Sequence, residues 1–118
     1  MTKEELAKLT VKDVIRMDAF KVELEKQLDL EQDNQTKEVK RAATMGCRLK
    51  RTPLDSLRDK GVFNAERMAD LFESVLNKSL LGFGANERQY IHNLGMLAFA
   101  RVMTKLQKEA EPEEKNEE

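Results

Sequence analysis

Few residues of this chain could do chemistry unaided. His92 is the only histidine and Cys47 the only thiol, and a nucleophile-base pair would require the fold to bring them within hydrogen-bond reach. His92 follows Ile91 in an apolar stretch, where a histidine is ordinarily a packed, hydrogen-bonded residue. One Cys and one His cannot supply the four ligands of a zinc site. Gly82-Phe83-Gly84 lacks the third glycine and the preceding strand of a phosphate-cradling loop. Asp29, Glu31 and Asp33 fall at the first, third and fifth positions of a calcium loop, but its sixth position is Asn34 and its twelfth is Lys40. A cation where a bidentate glutamate belongs repels the metal. No catalytic, cofactor-binding or metal-ligating residue is assigned, and a non-enzymatic protein is expected.

The stronger signal is charge segregation. The 118 residues sum to −1, yet residues 37–51 hold Lys37, Lys40, Arg41, Arg48, Lys50 and Arg51 against Glu38 alone, a net +5. As one helix this segment would gather its cations over adjacent turns, since steps of three, four, seven and eleven return toward one side. Such a face could contact phosphates with steeply salt-dependent affinity; its ordinary role is a solvated surface. Ala42 and Gly46 resemble the small residues of a helix-turn-helix, but Pro53 and Asp55 occupy positions where its second helix would need apolar core residues. Residues 109–118 carry six Glu against Lys115, a net −5. This tail either solubilises the chain or folds back to screen the basic segment.

These groups act only where elements place them, and the composition points to helices. Pro 2, Gly 5, 36% charged and 40% hydrophobic residues suit an all-α chain with an aliphatic, Met-filled core. Thr2 with Glu5, and Thr10 with Asp13, have the spacing of capped helix starts. Val11, Val14, Ile15, Met17, Phe20, Leu24 and Leu28 step by mostly three and four, predicting a helix from 11 to about 31. Residues 32–36 contain no apolar side chain and predict a loop. A weaker helix over 37–51 would turn Val39, Ala42, Ala43, Met45, Gly46 and Leu49 inward.

Thr52-Pro53-Leu54-Asp55 predicts a capped helix start and a short helix to Lys60, stopped by Gly61. Capping accounts for Thr52 without invoking phosphorylation there. Asn64 should cap a helix over 65–80, with Met68, Leu71, Phe72, Val75, Leu76 and Leu80 on one stripe. Leu81-Gly82-Phe83-Gly84 breaks it, and Asn86 with Gln89 should begin the last helix, over 87–108. Its apolar residues span more than one face, so it should be central or shared with another chain. Tyr90, Leu94, Gly95, Ala98 and Val102 form the candidate self-association surface, since small Gly95 and Ala98 admit a second helix closely.

The expectation is a single helical domain over 1–108, built as a bundle of five to six helices, and a disordered Glu-rich tail over 109–118. The lone cysteine and the absence of an apolar leader point to a reducing compartment, most simply the cytoplasm. Leu94 to Ala100, the longest apolar stretch, is far shorter than the ~20 residues of a membrane span. The functional expectation is a small interaction or assembly protein with a protein partner and a capacity for homo-oligomers, needing no cofactor. The alternative is a nucleic-acid-associated protein using the basic residues of 37–51.

Overall fold

The computed structural model describes residues 2–110 as six helices joined by turns, an all-α bundle with no strand among them. They are α1 (Lys3–Ala7), α2 (Val11–Ile15), α3 (Asp18–Thr44), α4 (Pro53–Asp59), α5 (Ala65–Leu76) and α6 (Ala85–Ala110). Residues 111–118, most of the expected tail, lie outside the described residues; Glu109 and Ala110 belong to α6.

Side-chain caps set most of the starts. The Thr2 hydroxyl accepts the Glu5 N–H at 3.1 Å, and Thr10 and Asp13 exchange reciprocal bonds at 3.1 and 3.0 Å. Each satisfies backbone donors that the first turn leaves orphaned. The two threonines therefore begin two helices. A further break at Arg16–Met17, where Met17 is extended (ψ 145°) and lacks a side-chain cap, separates α2 from α3. The apolar spacing runs through that break, so periodicity alone does not reveal it.

The largest departure from the sequence reading is α3. It runs 27 residues straight through the loop expected at 32–36. Its inward face continues by steps of three and four from Phe20, Leu24 and Leu28 to Glu31 and Gln35, changing chemistry without changing conformation. Gln35 donates to Asp55 Oδ1 at 2.7 Å, while Arg58 donates to Gln32 and Gln35 at 2.6 Å each. Polar bonds to α4 hold this stretch where apolar packing ends.

α3 then stops earlier than expected. Gly46 adopts φ +72°, Gly46 N–H donates to Ala43 O at 3.2 Å and Cys47 N–H to Ala42 O at 2.8 Å. This is a Schellman termination, in which the left-handed residue just past the helix satisfies its last carbonyls. Gly46 is a stop signal and not a weak helix position. Residues 45–51 are consequently non-helical, correcting the basic helix expected over 37–51.

α4 matches its signal: Thr52 and Asp55 form a reciprocal capping box, Pro53 is the first helical residue and the helix ends before Gly61. α5 begins after Asn64, which accepts the Arg67 N–H at 2.9 Å, but ends at Leu76. There Lys78 takes the left-handed position at φ 55°, so the stop carries no glycine to announce it. α6 starts at Ala85, with Glu87 accepting the Gly84 N–H at 2.9 Å; Asn86 lies within the first turn and does not cap it.

α3 and α6 pack antiparallel, as Lys105–Glu23 and Tyr90–Glu31 contacts at opposite ends require. Phe20, Leu24 and Leu28 of α3 meet Met68 and Phe72 of α5 and Ile91, Leu94, Ala98 and Val102 of α6, all buried. Phe20 and Phe72 stack with centroids 5.8 Å apart. Burial of such side chains stabilises by about 1.5–3 kcal/mol each before entropy is counted.

Candidate interaction surface

Beyond Gln35 the character of α3 changes. From Thr36 to Lys50 every residue is exposed except Ala42. The last turns of α3 form an arm, and residues 45–52 return beside it toward α4. The two limbs enclose a groove of about 280 Å³ lined by Val39 and Glu38 on α3 and by Leu49, Lys50 and Thr52 on the return.

Sequence reasoning placed Val39, Met45 and Leu49 inward, but they are 51%, 68% and 47% exposed. The arm has no second layer to receive them. Gly46 was the available signal: read as a stop, it ends α3 at Thr44, with Met45 as the cap, and leaves these apolar residues on a short projection.

The six basic candidates divide into three settings. Lys37, Lys40 and Arg41 lie on the last turns of α3, within one arc of its surface. Arg48 and Lys50 lie on the return limb. None of these five forms an ion pair among the described residues. Arg51 is different: its guanidinium pairs with Asp59 of α4, which raises its pKa further. Arg51 therefore closes the base of the arm, and one continuous basic helical face does not form.

The described end of α6 points away from this arm, and residues 111–118, which carry most of the acidic tail expected to solubilise the chain or screen the basic segment, lie outside the described residues. Lys105 is level with Glu23, and from there α3 travels about 25 Å to Lys40 while α6 continues about 7 Å the other way.

The self-association candidates are already engaged inside the chain. Leu94, Gly95, Ala98 and Val102 are buried and Tyr90 is half-buried. A β-carbon at Gly95 would lie 2.1 Å from Phe72 Cδ1. The small residues admit the ring of α5, so a second copy could approach Gly95 only by displacing Phe72. Tyr90 bonds with Glu31, and burial first, then that carboxylate, push its phenol up. Leu97 and Met96, on the outer side of α6, are 51% and 43% exposed.

The lone thiol and histidine sit apart. Cys47 belongs to the exposed turn of the arm, its Sγ 3.8 Å from Met45 O, whereas His92 is half-buried on α6 with its ring 6.2 Å from that of Phe72. Among the described residues no three His, Cys, Asp or Glu side chains are grouped to hold a metal ion. Asp29, Glu31 and Asp33 are helical and form no calcium loop. No described helix is long and apolar enough to cross a membrane.

Two other polar clusters serve the fold. Glu23, 3% exposed, accepts from Lys105 at 2.5 Å and Lys26 at 3.4 Å. Lys105 chiefly holds its carboxyl below the usual range, against the opposing effect of burial. Lys60 donates to Gly82 O at 3.0 Å and to the Glu87 carboxylate at 3.2 Å, and lies 4.2 Å from the centre of the Phe83 ring, tying α4 to the start of α6.

No family profile matches this chain, and neither the curated proteins nor the solved structures contain a significant match to it.

Proposed function

We propose that this chain is a non-enzymatic binding protein that engages an acidic protein partner through its arm, residues 37–50. The supporting observation is the composition of that surface: five exposed cations without ion pairs, interleaved with half-exposed or more exposed Val39, Met45 and Leu49. Protein interfaces combine apolar anchors with Arg and Met at the centre and a polar rim. Contacts to phosphates need the cations but gain nothing from the apolar residues. Val39 and Leu49 therefore favour a protein partner.

The second reading, nucleic-acid binding by Lys37, Lys40, Arg41, Arg48 and Lys50, rests on the same unpaired cations. One comparison separates the two. Wild-type chain, a Lys40→Glu/Arg41→Glu variant and a Val39→Asp/Leu49→Asp variant are immobilised, with and without nuclease treatment, and the bound material is quantified. Loss of a defined acidic protein from both variants, unaffected by nuclease, supports the protein partner. Nuclease-sensitive binding lost only with charge reversal supports nucleic acid, and its affinity should then fall steeply with salt. Identical bound material on all three baits overturns both.

A further inference from the structure

A concavity of about 520 Å³ lies where α5 gives way to α6, within the size range of small-ligand sites. Its walls divide by chemistry. Val75, Leu80 and Ala85 supply an apolar side, and Lys78, Arg88 and His92 supply nitrogen donors; no carboxylate lines it. Glu87, the nearest acid in sequence, is occupied by the Gly84 N–H and Lys60.

The donors are differently held. Arg88 gives one N–H to Phe83 O at 2.6 Å, which fixes the guanidinium at the connection and leaves its remaining donors available. His92 can donate a ring N–H whether neutral or charged. The Lys78 ammonium forms no ion pair or hydrogen bond among the described residues; its backbone N–H donates to Val75 O at 3.0 Å, and the residue stands at φ 55°. The equivalent positions after α3 and α4 are Gly46 and Gly61, which adopt φ +72° without a side chain. At the end of α5 the chain instead keeps a lysine in a conformation that costs it energy, at the mouth of a cation-lined hollow.

We propose that this concavity binds a small amphipathic organic anion, its acidic group held by Arg88 and Lys78 with a hydrogen bond from His92, and its apolar body against Val75, Leu80 and Ala85. Phosphate monoesters and carboxylic acids share that chemistry. The site is separate from the arm and does not depend on the partner proposed for it.

Titration of the isotope-labelled full chain with phenyl phosphate, benzoate and neutral benzyl alcohol, followed by amide NMR shifts, tests the assignment. Saturable shifts at Lys78, Leu80, Arg88 and His92 are expected with at least one acid at a Kd near or below about 1 mM, and not with the alcohol. The tighter of the two acids identifies the acidic group. Arg88→Ala should weaken binding about tenfold or more, and so should Lys78→Gly, which relieves the backbone and so tests the ammonium without endangering the fold. No saturable shift with either acid up to about 10 mM, equal shifts with benzyl alcohol, unchanged affinity in Arg88→Ala, or shifts centred on residues 37–50 would overturn the proposal.

Discussion

The two ends of α3 are one helix in conformation and two materials in chemistry. Its first part buries Phe20, Glu23, Leu24, Gln27 and Leu28 against α5 and α6; its last part, beyond Gln35, buries only Ala42. Good helix formers and a Schellman stop are enough to continue a helix already nucleated by tertiary packing, because propagation costs far less than nucleation. Helical continuity is thus no evidence of a shared core. The bundle end carries the stability, and the arm end is available for contact.

Two glycines put that division under the strongest test. Gly95→Ala sets a methyl 2.1 Å from Phe72 Cδ1, a ring only 1% exposed, so the ring or α5 must shift. Even after the gain in helix propensity, a loss of about 2–3 kcal/mol is expected. Gly46→Ala meets nothing within 4 Å and suffers only from φ +72°. It should fray the arm while leaving global unfolding almost unchanged. Denaturant midpoints read both, and equal losses would dissolve the distinction. Phe72→Leu, combined with Gly95→Ala, should recover part of the stability relative to additivity, since the two residues share one contact.

Glu23 comes next, because it places a charge inside the bundle end. Glu23→Gln removes the partner of Lys105 and Lys26 and should cost about 2 kcal/mol. The folded carboxyl titrates below the ordinary glutamate value of 4.5. The unfolded chain therefore binds its proton first as pH falls. The stabilisation is full well above 4.5 and is lost as pH drops through the folded value. Wild type and Glu23→Gln should accordingly converge in denaturant midpoint at acid pH and separate near neutrality. A constant difference across that range would show that the ion pair contributes little.

At the boundary between the two ends sits Gln35, which joins Asp55 and Arg58 in one polar network. Gln35→Ala should cost about 1 kcal/mol and raise amide exchange from residue 36 onward, with the first part of α3 still protected. Uniform protection along α3 would mean that the arm owes nothing to this tie.

What the residues disclose in advance follows the same divide. The all-α class, the Thr52-Pro53 start and the Asn64 cap were legible because each depends on neighbours within a turn. The continuity of α3 through 32–36 was not, since its support is the distant side chains of Asp55 and Arg58. Apolar periodicity is blind to a helix face held by amides. The end of α5 was hidden for a related reason: Lys78 occupies a position that sequence rules reserve for glycine. Of the surface residues, the basic cluster could be read from composition, but its division into arm, return limb and the Arg51–Asp59 pair follows from where Gly46 stops the helix. The small residues of α6 announce a close approach but not its partner: Phe72 of α5 is the neighbour seated against Gly95, and a second copy would require the same spacing.

The smallest expected change in stability is the most informative about function. Lys40→Glu/Arg41→Glu replaces two exposed cations without ion pairs among the described residues, and Val39→Asp/Leu49→Asp replaces two side chains about half exposed. Surface substitutions away from caps, buried charges and core contacts change stability by about 0.5 kcal/mol or less. Both variants should therefore unfold at nearly the wild-type denaturant concentration, while binding through the arm falls sharply. A large loss of stability in the aspartate pair would show that Val39 and Leu49 pack more closely across the groove than their exposure implies. It would make the groove a structural seam, remove the apolar anchors from the proposed interface, and leave the cations as the case for a nucleic-acid partner.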